Sequence, residues 1–451
     1  MFLLLSAPLL AGTPQLYWSP PSLPDGTRVG TTGLAVGDLD ADGAPDIAAS
    51  VILPNGTIGI IMDLSDNEDP FYPFDEFEDI TLLVTMVDMD GDGVAELLIS
   101  LPESDNGNGG LSILNPLPIK NTEDFNGTIL LDIDHDTSNA FFGTAFVTAD
   151  LDDDGMKEIL IGAPGSLVNT LYAYTYVPEA EVDYTDYAAA WRGDGNLTGF
   201  GTAMLVLPES DEILVAVCAH DYAETDCSSG GGLSRLAMSS WQSGNQELVG
   251  KDFLPISDEV PLALLVLPGT DTLIWAGTTE KTFTSLSARS APLSLTAQGT
   301  GVTVTTTPGG QGILWVQDGD TVHAIRTPGA GSGADQAEES FSVDGETLGA
   351  ILTPAGDLTG DGCEDVLAST AGGGNLYLLP GLCNAITDTG IDTGIDTGPR
   401  DTGPLNSGDS GGTDSGEPCE DTLGWTCGGQ GSAVLLLTAL FAFRRRSGSQ
   451  S

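Results

Sequence analysis

The sequence predicts an all-β fold, and three observations indicate it. Only 18% of the 451 residues are charged, whereas 60 are glycine and 26 are proline, a composition typical of turn-rich β proteins. Short apolar runs rich in β-forming residues recur between the turns and have the length of buried strands. An acidic loop joins pairs of these runs and returns along the chain in the same register. We therefore expect a repeated unit made of strands.

The acidic loop is complete in the stretch ADLDDDGMKEILIGAP, residues 149–164. Carboxylates stand at positions 1, 3, 5 and 9 of the loop, and a glycine at position 6 permits a sharp turn. This spacing suits Ca²⁺, which takes six to eight oxygens at roughly 2.3–2.6 Å, and position 7 can add its backbone carbonyl. An EF-hand is not expected, because position 12 is not acidic and the flanking runs are β-like. Acidic surface turns are the alternative.

The pattern occurs four times, which solvated turns give no reason to expect, so we predict up to four Ca²⁺ sites. The predicted ligands are Asp38, Asp40, Asp42, Ala44 and Asp46 in the first loop, Asp88, Asp90, Asp92, Val94 and Glu96 in the second, Asp150, Asp152, Asp154, Met156 and Glu158 in the third, and Asp357, Thr359, Asp361, Cys363 and Asp365 in the fourth. Since Thr359 replaces a carboxylate, the fourth site should be the weakest.

Three further units carry a shortened connection, beginning at Pro208, Pro268 and Pro308. Each is four residues shorter than the acidic loop, so a hairpin turn replaces the metal loop. The seven units follow one another at about 53 residues, which leaves room for four strands each. Four-stranded units repeated in this way predict a seven-bladed β-propeller over residues 13–384.

The strands of the third unit are predicted at Gly143–Ala149, Glu158–Ala163, Thr170–Val177 and Tyr187–Arg192. The seventh unit runs out after its third strand, Asn375–Pro380. Because the segment Gln15–Trp18 precedes the first unit and has no partner of its own, we expect it to supply the missing outer strand and close the ring.

A dipeptide and a tripeptide frame the third loop. Phe142 and Gly143 precede it, and Gly162, Ala163 and Pro164 follow it. On these residues the chain resembles the FG-GAP repeat family, the repeats of the integrin α-chain N-terminal propeller, over roughly residues 15–383. The resemblance is strongest in the four complete units. It implies a seven-bladed propeller with Ca²⁺ between the first two strands of a blade, and a protein or carbohydrate partner on the opposite face.

The two ends differ in composition from the repeats. Residues 1–12 contain an apolar run that is predicted to be a signal peptide, with a buried strand as the alternative. Residues 385–426 form a low-complexity acidic spacer in which Asp-Thr-Gly recurs. That triplet also occurs in aspartic proteases, whose chemistry needs it on buried loops between apolar strands, so we assign no such activity to this polar tract.

Residues 427–451 form a C-terminal tail. Cys427 is followed by a short apolar segment, Ser432–Phe443, and three arginines. The segment is shorter than the roughly 20 residues that span a bilayer comfortably. The order resembles the MYXO-CTERM type of C-terminal sorting signal, which implies processing and anchoring at Cys427. A plain membrane tail is the alternative, and no other membrane contact is expected.

The other cysteines and the histidines give weaker signals. Local pairing is the simplest assignment for the disulfide candidates Cys218 with Cys227 and Cys363 with Cys383. The histidines are His135, His220 and His323, and they stand in three different units. No catalytic set with useful spacing includes them, so we expect no enzyme.

The net charge of −53 repels phosphate backbones, so nucleic acid is not an expected partner. The cysteines and the predicted signal favour export, to the outer cell surface or the medium. We expect a calcium-stabilised, surface-anchored binding or adhesion protein whose ligand is an extracellular protein or carbohydrate. A secreted hydrolase or lyase built on a propeller, or a structural envelope component, is the alternative.

Overall fold

The computed structural model describes residues 13–19, 23–63, 71–74, 81–114, 129–152, 154–165, 169–177, 182–193, 197–207, 212–219, 231–237, 244–247, 254–257, 263–268, 272–276, 280–285, 293–296, 301–326 and 337–383. The predicted signal peptide, acidic spacer and tail lie outside these residues. Within them, no helix has the length and apolarity that crossing a membrane requires.

The regular secondary structure of the described residues is almost wholly β-strand, and the sheets are named sheet 1 to sheet 7 in chain order. Strand β1 (Gln15–Trp18) precedes sheet 1, which contains β2 (Arg28–Gly37), β3 (Asp46–Ile52), β4 (Ile58–Asp63) and β5 (Phe71–Phe74). Sheet 2 contains β6 (Leu83–Val87), β7 (Glu96–Leu101), β8 (Gly110–Leu114) and β9 (Ile129–Asp134), with a tight turn, Ser104–Gly107, between β7 and β8.

Sheets 3 and 4 share the next segment of the chain. Sheet 3 contains β10 (Phe146–Ala149), β11 (Glu158–Ala163), β12 (Thr170–Thr175) and β13 (Ala189–Arg192), and a later strand, β18 (Gly244–Glu247), joins its edge. Sheet 4 contains β14 (Leu197–Thr198), β15 (Met204–Leu207), β16 (Glu212–Ala219), β17 (Gly231–Ala237) and β19 (Leu254–Ser257).

The remaining sheets have four strands each. Sheet 5 contains β20 (Ala263–Leu267), β21 (Thr272–Ala276), β22 (Glu280–Ser285) and β23 (Leu293–Thr296). Sheet 6 contains β24 (Val302–Thr306), β25 (Gly312–Asp318), β26 (Thr321–Arg326) and β27 (Glu339–Ser342). Sheet 7 contains β28 (Leu348–Pro354), β29 (Val366–Thr370) and β30 (Leu376–Leu379), and β1 pairs with β30 as its outer strand.

Both faces of most sheets are buried, which explains why the strands read as continuous apolar runs. In β25, Ile313 and Trp315 pack against sheet 7, whereas the alternate residues Leu314 and Val316 pack against sheet 5. Successive side chains of a strand point to opposite faces, so each face needs its own apolar residues. Apolar clusters of this kind lie between each sheet and the next, and one joins sheet 7 to sheet 1.

The predicted all-β architecture of four-stranded antiparallel sheets is therefore confirmed, and its face-to-face packing is that of a β-propeller. The pairing of Gln15–Trp18 with the last strand is confirmed as well. All three shortened connections are hairpins, in which Leu207 pairs with Glu212, Leu267 with Thr272 and Thr306 with Gly312.

The boundaries predicted for the third unit need small corrections. Its second strand is as predicted, but the first begins at Phe146 instead of Gly143. Gly143 has a φ of +86°, a left-handed conformation that ends the extended chain. The third strand ends at Thr175 instead of Val177, and the fourth begins at Ala189 instead of Tyr187. In the seventh unit the third strand is Leu376–Leu379, one residue shorter at each end than predicted.

Candidate metal centres

The four acidic loops all occupy the same place in their sheets. Each connects the first strand of sheet 1, 2, 3 or 7 to the second strand. In sheets 1, 2 and 3 the residue before position 1 pairs with position 9, as Gly37 does with Asp46. The loop is therefore closed at its base by the antiparallel ladder, and the residues between are forced into a compact coil.

The carboxylate at position 1 organises each coil. One of its oxygens accepts the backbone N–H of the glycine at position 6, at 2.8–3.0 Å in all four loops. The glycine has a φ between +81° and +93°, and a Cβ on it would meet no atom. The need for glycine is therefore conformational rather than steric, as the sequence predicted. These glycines are Gly43, Gly93, Gly155 and Gly362.

The carboxylate at position 5 holds the next turn of the coil. One of its oxygens accepts the backbone N–H of position 7, at 2.8–2.9 Å in every loop. The pairs are Asp42 with Ala44, Asp92 with Val94, Asp154 with Met156 and Asp361 with Cys363. These bonds hold the residue at loop position 7 in place, and its backbone carbonyl is the predicted ligand.

The carboxylate at position 9 is buried in all four loops. In the first three it accepts the backbone N–H of position 2 at 2.8 Å, from Leu39, Met89 and Leu151. Burial raises the pKa of Glu96 and that of Glu158 to about 7, and the neighbouring aspartates add to the effect. A carboxylate that is buried among other carboxylates is costly to ionise unless a cation lies beside it.

Carboxylate oxygens converge in the first three loops. The oxygens lie within 4.8 Å of one another in three groups, which are Asp38, Asp40 and Asp42; Asp88, Asp90 and Asp92; and Asp150, Asp152 and Glu158. Two buried oxygens of these loops, Asp38 Oδ1 and Glu158 Oε1, have no hydrogen-bond partner. An oxygen-only set with unsatisfied buried oxygens fits a hard divalent cation.

The fourth loop fits a cation less well. Both oxygens of Asp365 already accept backbone N–H groups, from Thr359 at 2.8 Å and from Gly381 at 2.7 Å. The compact group recorded there contains Asp361 with Cys363 and Cys383, but those two sulfurs form a disulfide with a Cα separation of 5.4 Å. Burial also raises the pKa of Asp365. Asp357 and Asp361 keep the coil geometry of the other loops.

Residues at position 8 were missed by the sequence reasoning. Ala95, Lys157 and Glu364 each bond to the neighbouring sheet rather than to their own loop. One signal could have pointed to Lys157, since it is one of only 13 basic residues and stands inside an acidic loop.

The other residues considered from the sequence serve different purposes or lie elsewhere. His135 is buried, and its Nδ1 accepts the backbone N–H of Thr137 while its Nε2 lies 3.3 Å from the hydroxyl of Tyr172. This arrangement holds the loop after β9, and burial lowers the pKa of His135. His323 hydrogen-bonds Ser340 across two strands of sheet 6. His220, Cys227, Cys427 and the side chain of Cys218 lie outside the described residues.

Comparisons with known proteins found matches among solved structures. No protein-family model matches the chain, and no curated protein matches it. The chain is similar in structure to one described as "Structure of Dos1 propeller", with a TM-score of 0.43 and 10% sequence identity, over 75% of this chain and 76% of that chain. A likeness at this level carries no functional information.

Proposed function

We propose that the chain is a seven-bladed β-propeller of the FG-GAP repeat type, in which sheets 1 to 7 are the blades. The packing of sheet 7 on sheet 1 supports a closed ring, since Leu367 and Leu376 share an apolar cluster with Val29 and Ile47. The pairing of β1 with β30 also supports closure, because the first strand of the chain then completes the last blade.

The close approach of neighbouring sheets gives the FG and GAP residues a physical purpose. Gly201, which follows Phe200, lies against Gly162 of sheet 3, where a Cβ on Gly162 would overlap the carbonyl of Gly201. In the same way, a Cβ on Gly143 would overlap Ser100 Oγ of sheet 2. Glycine at these positions allows backbones of adjacent blades to touch, which supports the family resemblance.

The acidic loops are proposed to hold structural Ca²⁺, up to four ions. The observation that carries this proposal is the convergence of carboxylates in loops one to three, each loop having a buried carboxylate at position 9, with Glu158 Oε1 unsatisfied. When bound, Ca²⁺ would supply the positive charge that these oxygens lack. The protein's own residues tie the ligands to the first two strands of a blade, so we infer a stabilising ion rather than a catalytic one.

A recognition surface is proposed at the end of blades 2 and 3 that lies opposite the acidic loops. Five of the six non-glycine residues with a left-handed φ among the described residues lie there: Asp105, Asn106, Asn139, Phe141 and Asn169. The loops are bonded to one another, for example through Phe141 N–H to Gly107 O at 2.8 Å and Phe200 N–H to Asn169 Oδ1 at 2.8 Å. Such conformations cost about 1–3 kcal/mol each and are concentrated at functional sites.

We therefore propose a binding or adhesion protein that presents this rigid surface to an extracellular protein or carbohydrate. Export through residues 1–12 and anchoring through the spacer and Cys427 are parts of the same proposal. Deleting residues 428–451 should release the protein into the medium, and retention in the cell envelope would argue against anchoring by the tail.

Glycan and surface-protein arrays, probed with the calcium-loaded protein, test the binding function. We expect Ser138→Lys, which places a bulky charge beside Asn139, to abolish binding to any ligand found. Ser342→Lys is the matched control, because Ser342 is also an exposed serine and lies on the edge of sheet 6. No ligand on either array, or equal loss in both variants, would count against a recognition surface at this place.

A further inference from the structure

Hydrogen bonds join the acidic loops of neighbouring blades. The inference drawn from them rests on the proposed calcium sites. We propose that the first three calcium sites are coupled, so that filling one raises the affinity of the next, whereas the fourth site binds independently. The coupling passes through the backbone of position 8. Two bonded contacts and one proline carry the inference.

The first contact joins loops one and two. The backbone N–H of Ala95 donates to the carbonyl of Asp38 at 2.8 Å. Ala95 immediately precedes Glu96, the buried carboxylate of loop two, and Asp38 holds position 1 of loop one. A cation that fixes Glu96 therefore also fixes the donor that positions Asp38, and the reverse holds by linkage.

The second contact joins loops two and three and is more extensive. Lys157 donates its backbone N–H to the carbonyl of Met89 at 2.9 Å and its Nζ to the carbonyl of Asp88 at 2.8 Å. A Cβ added to Gly91 would lie 3.7 Å from the carbonyl oxygen of Gly155, so the two coils pass close to each other. Lys157 precedes Glu158, which repeats the geometry of the first contact.

The series of position-8 hydrogen bonds from loop to loop, called here the relay, does not include the fourth loop, and the residues at position 8 explain why. Position 8 of loop one is Pro45, which has no N–H with which to bond a preceding loop. Position 8 of loop four is Glu364, whose Oε2 accepts the backbone N–H of Thr306 at 2.8 Å and its hydroxyl at 3.2 Å. Thr306 belongs to sheet 6, which has a hairpin instead of an acidic loop. Loop four therefore has no bonded calcium-site neighbour by this route.

Electrostatics oppose this coupling but should not reverse it. A bound dication lowers the negative potential at the neighbouring loop and so weakens its attraction for a second ion. Salt screens charges beyond a Debye length of about 8 Å at physiological ionic strength, whereas a short backbone hydrogen bond is not screened in this way. One such bond corresponds to about a threefold to tenfold change in affinity. Raising the salt concentration should leave the coupling intact or strengthen it.

Hydrogen exchange of the full chain, followed by mass spectrometry at buffered free Ca²⁺, resolves each loop separately. We expect Asp92→Asn, which disables loop two, to raise the calcium midpoints of loops one and three at least threefold. The calcium midpoint of loop four should change less than twofold. Asp361→Asn is the matched control, because it makes the same change at position 5 of loop four and should leave loops one to three in place. Equal shifts in the two variants would overturn the coupling.

A second variant removes the contact between loops one and two without changing a ligand. Ala95→Pro retains every proposed ligand and copies the proline that loop one already carries at the same position. Combined with Asp92→Asn, it should abolish the shift of loop one while leaving that of loop three, as a double-mutant cycle. Persistence of the loop-one shift would refute the relay. If no loop gains protection with Ca²⁺, the calcium sites themselves are refuted. If Ca²⁺ protects all four loops from exchange but each one independently of the others, the coupling is refuted and the calcium sites stand.

Discussion

Substituting Gly143 by alanine should destabilise the fold more than the loss of glycine conformational freedom explains. Gly143 sits at the junction of sheets 2 and 3 with a φ of +86°. A Cβ there would overlap Ser100 Oγ and would lie 3.1 Å from the carbonyl of Gly110. Ser100 cannot swing away freely, because its hydroxyl donates to the carbonyls of Gly110 and Gly143 at 3.0 and 2.9 Å.

The expected cost has two parts. The left-handed backbone costs alanine about 1–2 kcal/mol relative to glycine. Overpacking a buried junction costs about 1–3 kcal/mol more. Gly345→Ala isolates the first part, since Gly345 has a φ of +81° and a Cβ there would meet no atom within 4 Å. We therefore expect a loss of about 2–5 kcal/mol for Gly143→Ala and about 1–2 kcal/mol for Gly345→Ala.

Urea unfolding at saturating Ca²⁺ measures both variants against the parent protein. The difference between their midpoints, at equal slope, reports the steric cost of the junction. Ser100→Ala in the Gly143→Ala background should recover part of the loss, because it removes the overlapping hydroxyl. Equal midpoints for the two glycine variants would refute the close approach of sheets 2 and 3.

Three further predictions concern other parts of the fold. Deleting Gln15–Trp18 should lower the free energy of unfolding by about 3–5 kcal/mol, since buried Trp18 and the outer strand of sheet 7 are lost. Leu16→Ser at an exposed position should cost less than about 0.5 kcal/mol, and equal effects of the two changes would contradict ring closure by β1. Cys383→Ser should cost about 3 kcal/mol by opening a loop of 20 residues, and an unchanged midpoint in oxidising buffer would contradict the disulfide. Because burial lowers the pKa of His135, its contribution to stability is present above the unfolded pKa of about 6.5 and is lost as pH falls below it, with a slope of at most about 1.4 kcal/mol per pH unit. His135→Gln should remove this part of the pH dependence between pH 7.5 and 5, and identical pH profiles would refute it.

Much of this fold could be predicted because its local rules are strict. The position-6 glycine, such as Gly155, needs a left-handed φ, and the carboxylates around it need a fixed spacing to converge. The shortened connections could be assigned because a hairpin and a metal loop differ by a constant number of residues. Gln15–Trp18 could be placed because one blade lacked a strand.

Other features depend on tertiary contacts that leave no periodic signal. Strand β18 (Gly244–Glu247) pairs in parallel with β13 of the preceding sheet, a long-range choice that its four residues do not encode locally. The left-handed conformation of Phe141 accompanies a hydrogen bond between two loops, from its backbone N–H to the carbonyl of Gly107. The position-8 contacts of Ala95 and Lys157 likewise arise only when two blades meet.

Thermal unfolding with and without a calcium chelator tests the central claim, that the acidic loops hold structural Ca²⁺. If a site binds with a Kd of about 10⁻⁵ M and free calcium is about 1 mM, each ion contributes about 2.7 kcal/mol. We expect the chelator to lower the melting temperature markedly, Mg²⁺ to restore it poorly, and Glu158→Gln to reduce the calcium dependence more than Thr359→Ala does. A melting curve that is the same in chelator and in calcium would contradict the assignment of these loops as metal sites.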